Sequence, residues 1–330
     1  MKYAIGADIG GTSVKLGIFS ETGNLLDKWE IRTNTHNHGE NILPDIQKSI
    51  ENYLHRKQIA RTDILGVGFG IPGSVLPDGM VEGCVNLGWG AYNVVETFQN
   101  MSGFPTFAVN DANAAALGEA WHGSGKGYEN VVMITLGTGI GGGVVVDGKI
   151  HAGAFGAGGE IGHMSMIENE KEHCNCGKTG CLEQYASAKG LAKVAARLLQ
   201  AGPTKSSLRS CESITARVVC EHAREGDEMA KEAIGYSMGL LGKAMALIAA
   251  VIDPQVFIIG GGLAKSGDLL LSPIQEAYRK HVFYVSRNTE IRLAALGNDA
   301  GIFGGAQLVL GSENPDSETL ERRKKEEAGL

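Results

Sequence analysis

Twice along the chain an apolar strand pattern runs into a glycine-rich turn and out again into a second strand pattern. Tyr3 to Ile9 leads through Gly10-Gly11-Thr12 into Val14 to Phe19, and Val131 to Leu136 leads through Gly137-Thr138-Gly139 towards Gly143 to Val146. A third cluster, Gly260-Gly261-Gly262, follows the apolar run Val256 to Ile259. Glycine at such places lets a backbone turn tightly or approach a ligand with no Cβ in the way. These runs help explain why glycine supplies 48 of 330 residues, near twice the ordinary share. The glycines follow no three-residue period, which excludes a collagen-like chain. A repeated strand, turn and strand predicts two halves built on one α/β plan.

The first half reads β-β-β-α-β-loop-β-α. Leu25 to Ile31 is a third strand after the Thr22-Gly23-Asn24 turn, and Leu43, Ile46, Ile50 and Leu54 recur at helical spacing. Ile64 to Ile71 and Thr106 to Val109 are strands separated by a loop, and Ala112 to Trp121 is a helix. In the second half Asp147-Gly148 marks a hairpin into Lys149 to Ala152, followed by a Cys/His-rich segment at 163–183. Helical stretches near 187–200, 213–224 and 228–251 come next, then strand Val256 to Ile259, helix 268–280, strand Ile291 to Ala295 and helix 301–310. In the long helix Met238, Leu241, Met245, Ile248 and Ile252 form an apolar stripe. Gly235, Gly239 and Gly242 are expected to let another element come close to it. Length favours two lobes: 1–115 with a C-terminal helix at about 301–315, and 116–300. The charged stretch 316–330 is read as a solvated tail.

The charge balance of 30 basic and 37 acidic residues, −7 overall, gives no electrostatic footprint for nucleic acid. The opening MKYAIGADIGG reaches a glycine turn too early for a signal peptide core, and no uncharged apolar run reaches about 18 residues. The expectation is a cytoplasmic protein with no membrane partner. Six cysteines in such a chain argue against disulfides.

A hairpin tip of Gly and Thr can converge several N–H groups on an anion while the hydroxyl adds another donor, so the three glycine clusters together point to nucleotide phosphates. Gly137, Gly139 and Gly142 satisfy G-x-G-x-x-G, yet that motif must open a helix, and Gly143-Val144-Val145-Val146 continues as strand. Gly123-Ser124-Gly125-Lys126-Gly127 lacks the spacing of a P-loop.

Cys174, Cys176 and Cys181 lie within eight residues, with His163 and His173 as candidate fourth ligands. Three thiolates and one imidazole make a closed tetrahedral site, which implies a structural zinc with no open position for water. Cys84, Cys211 and Cys220 are isolated and read as packing residues. Phosphoryl transfer to a hydroxyl needs a carboxylate to accept its proton, and Asp8, Asp111, Glu160, Glu183 and Asp299 are candidates. Asp111 sits where a strand gives way to a helix, a place that suits either a base or a plain cap.

The three glycine clusters resemble the two phosphate motifs and the adenosine motif of the actin-like sugar kinases. Gly159-Glu160-Ile161-Gly162-His163, followed by Cys174-x-Cys176-Gly-x-x-Gly-Cys181-x-Glu183, resembles the signature of the ROK family (repressors, open reading frames and kinases). Pro72-Gly73, Val85-Asn86-Leu87-Gly88-Trp89, the run from Asn110-Asp111 to Glu119, and Gly297-Asn298-Asp299-Ala300-Gly301 are similar to the family's Gram-positive bacterial glucokinases. Val109 departs from that group, whose members often carry Glu there.

The resemblance implies an actin-like ATPase (ribonuclease H-like) fold with two similar lobes around a central cleft. It also implies transfer of the γ-phosphoryl of MgATP to the 6-hydroxyl of glucose. Asp111 would be the base, and Gly73, Asn86, Asn110, Glu160, His163 and Glu183 would contact the sugar. Asp8, Gly10, Gly11, Thr12, Lys15, Gly137, Thr138, Gly139, Gly260, Gly261 and Gly262 would bind ATP, with Asp8 near Mg²⁺. His163 joins Cys174, Cys176 and Cys181 on zinc. Relatives are commonly dimers or tetramers. Two other readings are a sibling kinase for N-acetylmannosamine, N-acetylglucosamine or fructose, and a sugar-sensing repressor. The repressor would need a DNA-binding segment ahead of Asp8, where only seven residues stand.

Overall fold

The computed structural model describes residues 1–312; the expected tail at 316–330 lies outside the described residues. The chain divides into two compact units. The first takes in Met1–Trp121, Ala152–Ala157 and the stretch from Asn298, and the second His122–His151 and Gly158–Gly297. The expected boundary at 115 and the division after Trp121 both fall within one helix, Asp111–His122.

The first unit holds strands β1 (Tyr3–Ile9), β2 (Ser13–Ser20), β3 (Leu25–Arg32), β4 (Ile64–Ile71), β5 (Met80–Val81), β6 (Tyr92–Asn93) and β7 (Thr106–Asn110). Its helical segments are the turn α1 (His36–Gly39) and helices α2 (Ile42–Lys57), α3 (Val94–Ser102) and α4 (Asp111–His122). The main sheet runs β3-β2-β1-β4-β7, antiparallel across β3, β2 and β1 and parallel across β1, β4 and β7. β4 is almost wholly buried, as a parallel strand covered on both faces must be. β3 alternates half-buried and exposed residues and points Lys28, Glu30 and Arg32 to solvent at the edge of the sheet, which discourages further strand pairing. α3 was expected as loop. Asn93 caps it by accepting from Glu96 N at 2.9 Å, and it stops at Gly103, whose φ is 73°. Nine residues that bury only Val94, Phe98 and Ser102 leave too little periodicity to detect.

The second unit holds β8 (Val131–Leu136), β9 (Ile140–Val146), β10 (Lys149–Ile150), β11 (Val256–Gly260) and β12 (Glu290–Leu293). Its helices are α5 (Glu183–Ala186), α6 (Ala188–Ala201), α7 (Ala216–Arg224), α8 (Glu228–Ile252) and α9 (Asp268–His281). The sheet order β10-β9-β8-β11-β12 repeats the first sheet pairing for pairing: two antiparallel neighbours precede two parallel ones. The last element of the described residues is α10 (Ala300–Ser312), which belongs to the first unit. β9 begins three residues before the expected Gly143, because Gly141, Gly142 and Gly143 pair with Thr135, Ile134 and Met133 through backbone groups that need no side chain.

α8 is long and apolar enough to cross a membrane by length and composition, but it buries Met238, Leu241, Met245 and Ile248 in the core of this unit. Only one of its three expected close approaches occurs. A Cβ on Gly242 would meet Tyr278 N of α9 at 2.9 Å, whereas Gly235 and Gly239 face nothing within 4 Å. Those two lie on the outer side of the helix, off the stripe that packs.

Candidate active site

In the first unit the candidate residues gather at the carboxyl ends of three parallel strands, where open α/β sheets bind ligands. Asp8 pairs across to Gly70, and Gly70 to Val109, so Asp8 of β1 is in register with the residue two before Asp111. Burial pushes the Asp8 carboxyl up to about 6; Lys15 pulls it down and the neighbouring Asp111 charge pushes it up again. The tip after Asp8 is tight: Gly10 N donates to Ser13 O at 2.9 Å, and Thr33 Oγ1 donates to Gly10 O at 2.6 Å. Gly11 and Thr12 stay exposed at the tip. Lys15 Nζ donates to Asn298 O at 3.1 Å.

Asn110 takes the capping role that the sequence left open for Asp111. Its Oδ1 accepts from Ala112 N at 2.9 Å and from Asn113 N at 3.3 Å, and its Nδ2 donates to Gly73 O at 2.9 Å. Asn110 thus serves as the cap of α4 and uses one amide hydrogen on Gly73 O. Asp111 Oδ1 accepts from Ala112 N at 2.8 Å and is half-buried at the positive end of α4. Gly73, with φ 98°, turns the chain after β4. Asn86 is exposed on a 3-10 turn braced by Trp89, whose Nε1 donates to Gly39 O at 3.0 Å. A Cβ on Gly11 would lie 3.6 Å from Asn86 O, so this turn borders the glycine tip. Asp299, another of the acidic candidates, pairs with Lys28, its Oδ2 at 2.5 Å from Lys28 Nζ.

In the second unit the tip Gly137-Thr138-Gly139 occupies, between β8 and β9, the place that Gly10-Gly11-Thr12 occupies between β1 and β2. Gly137 N donates to Gly139 O at 3.0 Å, and Gly137 O accepts from Ala188 N at the start of α6. Gly260-Gly261-Gly262 ends β11 beside it. Gly261 has φ 85°, and a Cβ there would press on the backbone of Leu136, so the cluster lies directly against the strand that carries the tip.

His163, Cys174, Cys176 and Cys181 converge with all four ligand atoms within 4.8 Å of one another. A tetrahedral zinc with ordinary Zn–S and Zn–N bonds has S···S edges of about 3.8 Å and S···N edges of about 3.5 Å. Cys176 Sγ to Cys181 Sγ is 3.6 Å, and Cys174 Sγ to His163 Nδ1 is 3.6 Å. The donor set therefore fits zinc through Nδ1. His173 points elsewhere, with Nδ1 at 3.2 Å from Gly177 O. Burial pushes the Cys174 thiol up to about 12, while a hydrogen bond from Lys178 N lowers that of Cys176.

The Cys/His cluster lies beside two of the acidic candidates. Glu183 Oε1 lies 3.0 Å from Cys174 Sγ and 3.8 Å from His163 Nδ1, and Glu160 Oε2 lies 3.8 Å from His163 Nε2. Glu183 Oε2 lies 2.6 Å from where a Cβ on Gly139 would be, so one carboxylate lies between the glycine tip and the cysteine loop. Residues that no motif revealed hold this loop on the helices. Glu170 accepts from Tyr185 and from Arg197 Nη1, and Gln184 bridges Cys181 N and Glu172 O at 3.0 and 2.9 Å. Hydrogen bonding by Tyr185, and then by Glu172 N–H and Arg197, holds the Glu170 carboxyl down at about 2.

The chain matches the ROK family over residues 4–312. It is 38% identical over 318 residues to a glucokinase of Halalkalibacterium halodurans, covering 95% of this chain and 96% of that one. It is 35% identical over 322 residues to a glucokinase of Streptomyces coelicolor, covering 94% and 98%. Among solved structures it resembles a ROK family glucokinase from Streptomyces griseus in complex with glucose and AMPPNP. The TM-score is 0.72 at 32% identity, with 93% of this chain and 98% of that one covered.

Proposed function

We propose that this chain, which belongs to the ROK family, is a glucokinase: it transfers the γ-phosphoryl group of MgATP to the 6-hydroxyl of glucose, giving glucose 6-phosphate and ADP. The observation that carries the reading is Asp111, half-buried in the first turn of α4 just past the carboxyl end of β7 and beside Asn110, in a chain alike over nearly its full length to glucokinases.

Asp111 accepts the proton of the 6-hydroxyl as that oxygen approaches the γ-phosphorus. Asn110, through its second amide hydrogen, together with Gly73 and Asn86, orients the sugar. Glu160, His163 and Glu183 hydrogen-bond its ring hydroxyls, and their directions are set by the Cys174, Cys176 and Cys181 loop that zinc closes. The N–H groups of Gly10, Gly11 and Thr12, and of Gly137, Thr138 and Gly139, line the phosphates, with Lys15 adding positive charge. Magnesium, when bound, neutralises developing charge on the phosphates, and Asp8 would hold it. Gly260, Gly261 and Gly262 receive the nucleoside. The protein works in the cytoplasm, where ATP is supplied. It self-associates as a homodimer or homotetramer, a reading supported by apolar side chains left exposed on the second unit, among them Leu247, Val251, Phe283, Tyr284 and Val285.

A coupled assay with ATP and a panel of hexoses and N-acetylhexosamines tests the reading. Glucose is expected to give the highest kcat/KM. A higher value for fructose, N-acetylmannosamine or N-acetylglucosamine would move the chain to a sibling activity.

A further inference from the structure

Residues 33–39, between β3 and α2, connect the first glycine tip to the turn that carries Asn86. At one end the buried Thr33 donates from its N–H to Thr12 O at 3.0 Å and from Oγ1 to Gly10 O at 2.6 Å. At the other end Gly39 O accepts from the buried Trp89 Nε1 at 3.0 Å. Trp89 in turn closes the loop around Asn86: Cys84 N donates to Trp89 O and Trp89 N to Cys84 O, both at 3.0 Å.

Between those ends the chain is wound left-handed. Asn37, His38 and Gly39 have φ of 49°, 59° and 70°, a conformation that residues other than glycine adopt singly and not in runs. Two glycines let this segment meet the Asn86 turn backbone to backbone. A Cβ on Gly39 would press on Leu87 O and lie 2.7 Å from Trp89 Nε1, and one on Gly88 would lie 3.2 Å from His38 Cα. A segment fixed at both ends and packed this closely passes a shift from one end to the other, where an open loop would absorb it.

We infer that residues 33–39 are a strap that holds the phosphate tip and the sugar turn in register, with Thr33 and Trp89 as its positioning residues. Glucose held by Asn86 fixes the turn, and through Trp89 and Gly39 it fixes Thr33 and the N–H groups of Gly10, Gly11 and Thr12. Phosphates seated on the tip steady Asn86 by the same route. Each substrate thus orders contacts for the other within the first unit, and the gain in affinity is equal in both directions. The inference rests on the sugar and phosphate contacts proposed above.

The full-length, zinc-loaded protein is titrated with glucose by calorimetry, alone and with saturating AMPPNP and magnesium. In the wild type the nucleotide is expected to tighten glucose binding about 5-fold or more. Trp89→Phe keeps an aromatic ring and removes the N–H that reaches Gly39 O, and Thr33→Val keeps the shape and removes the hydroxyl that reaches Gly10 O. In each the nucleotide effect is expected to fall towards 1-fold, and Thr33→Val serves if Trp89→Phe does not fold. Gly66→Ala is the control for instability alone: its Cβ would lie 2.7 Å from Pro105 O, at the start of β4, so it is expected to lower Tm and keep the nucleotide effect. An unchanged effect in the folded strap variants, or an equal loss in Gly66→Ala, would overturn the strap. A wild type that binds glucose with no nucleotide effect would overturn the strap alone, whereas a wild type that neither binds nor phosphorylates glucose would overturn the glucokinase reading and the strap with it.

Discussion

Gly301 stands in the first turn of α10, and a Cβ there would lie 2.7 Å from Asp8 Cγ and 2.9 Å from Asp8 Cβ and Oδ2. Carbon atoms in contact sit ~3.5–4.0 Å apart, so Gly301→Ala forces the Asp8 carboxylate away by roughly 0.5–1 Å. Two effects on stability oppose each other. Replacing a helical glycine by alanine contributes about 1 kcal/mol, and overpacking a filled site costs about 1–3 kcal/mol. The net loss is about 0–2 kcal/mol, a fall in Tm of under about 8 °C. Activity has no such offset. A displacement of about 1 Å in a reacting array lowers rate ~100-fold, so kcat/KM for MgATP is expected to fall ~10- to 100-fold. Gly235→Ala provides the contrast. With nothing within 4 Å of its Cβ, it is expected to raise Tm by about 2–4 °C at unchanged activity. The assays are coupled glucose 6-phosphate detection and thermal denaturation of both variants. Wild-type kcat/KM in Gly301→Ala would refute the argument that catalysis depends on where Asp8 is held.

Two further outcomes follow from the same geometry. Asp8 titrates higher in the folded chain, near 6, than its ordinary 3.8. The folded state therefore binds more protons over that interval, and stability falls as pH rises from about 4 to 6. Asp8→Asn removes the buried charge and is expected to raise Tm at pH 7 in magnesium-free buffer, by up to about 3 kcal/mol of stability, while activity is lost; a lower Tm would contradict the burial argument. Metal analysis is expected to find about one zinc per chain, and Cys176→Ser to lose it and raise the glucose KM roughly 10-fold, since Glu183 leans on Cys174; zinc retained by the variant would contradict the four-ligand site.

What could be read in the sequence was whatever has a local pattern. Tyr3–Ile9, Ile64–Ile71 and Val131–Leu136 are strands over the expected spans, because alternating or continuous apolar residues end at glycine, proline or polar turns. The closely spaced cysteines announced a metal, and the choice between His163 and His173 needed either the family resemblance or the coordinates. The shared sheet order of the two units was legible only as the repeated strand, turn and strand. α3 was hidden by its brevity. The Glu170, Tyr185 and Arg197 anchor and the bond from Asn110 to Gly73 join residues 15 to 37 positions apart. Gly235 and Gly239 misled because helical spacing does not say which face a neighbour covers.

The most direct test of the central claim is Asp111→Asn, examined by glucose-binding calorimetry and by single-turnover formation of glucose 6-phosphate from MgATP. A carboxamide keeps the size of the side chain and removes the proton acceptor. Glucose binding is expected within about 10-fold of wild type with turnover reduced at least ~1,000-fold. Turnover near the wild-type rate, in a variant that binds glucose normally, would contradict the assignment of Asp111 as the base.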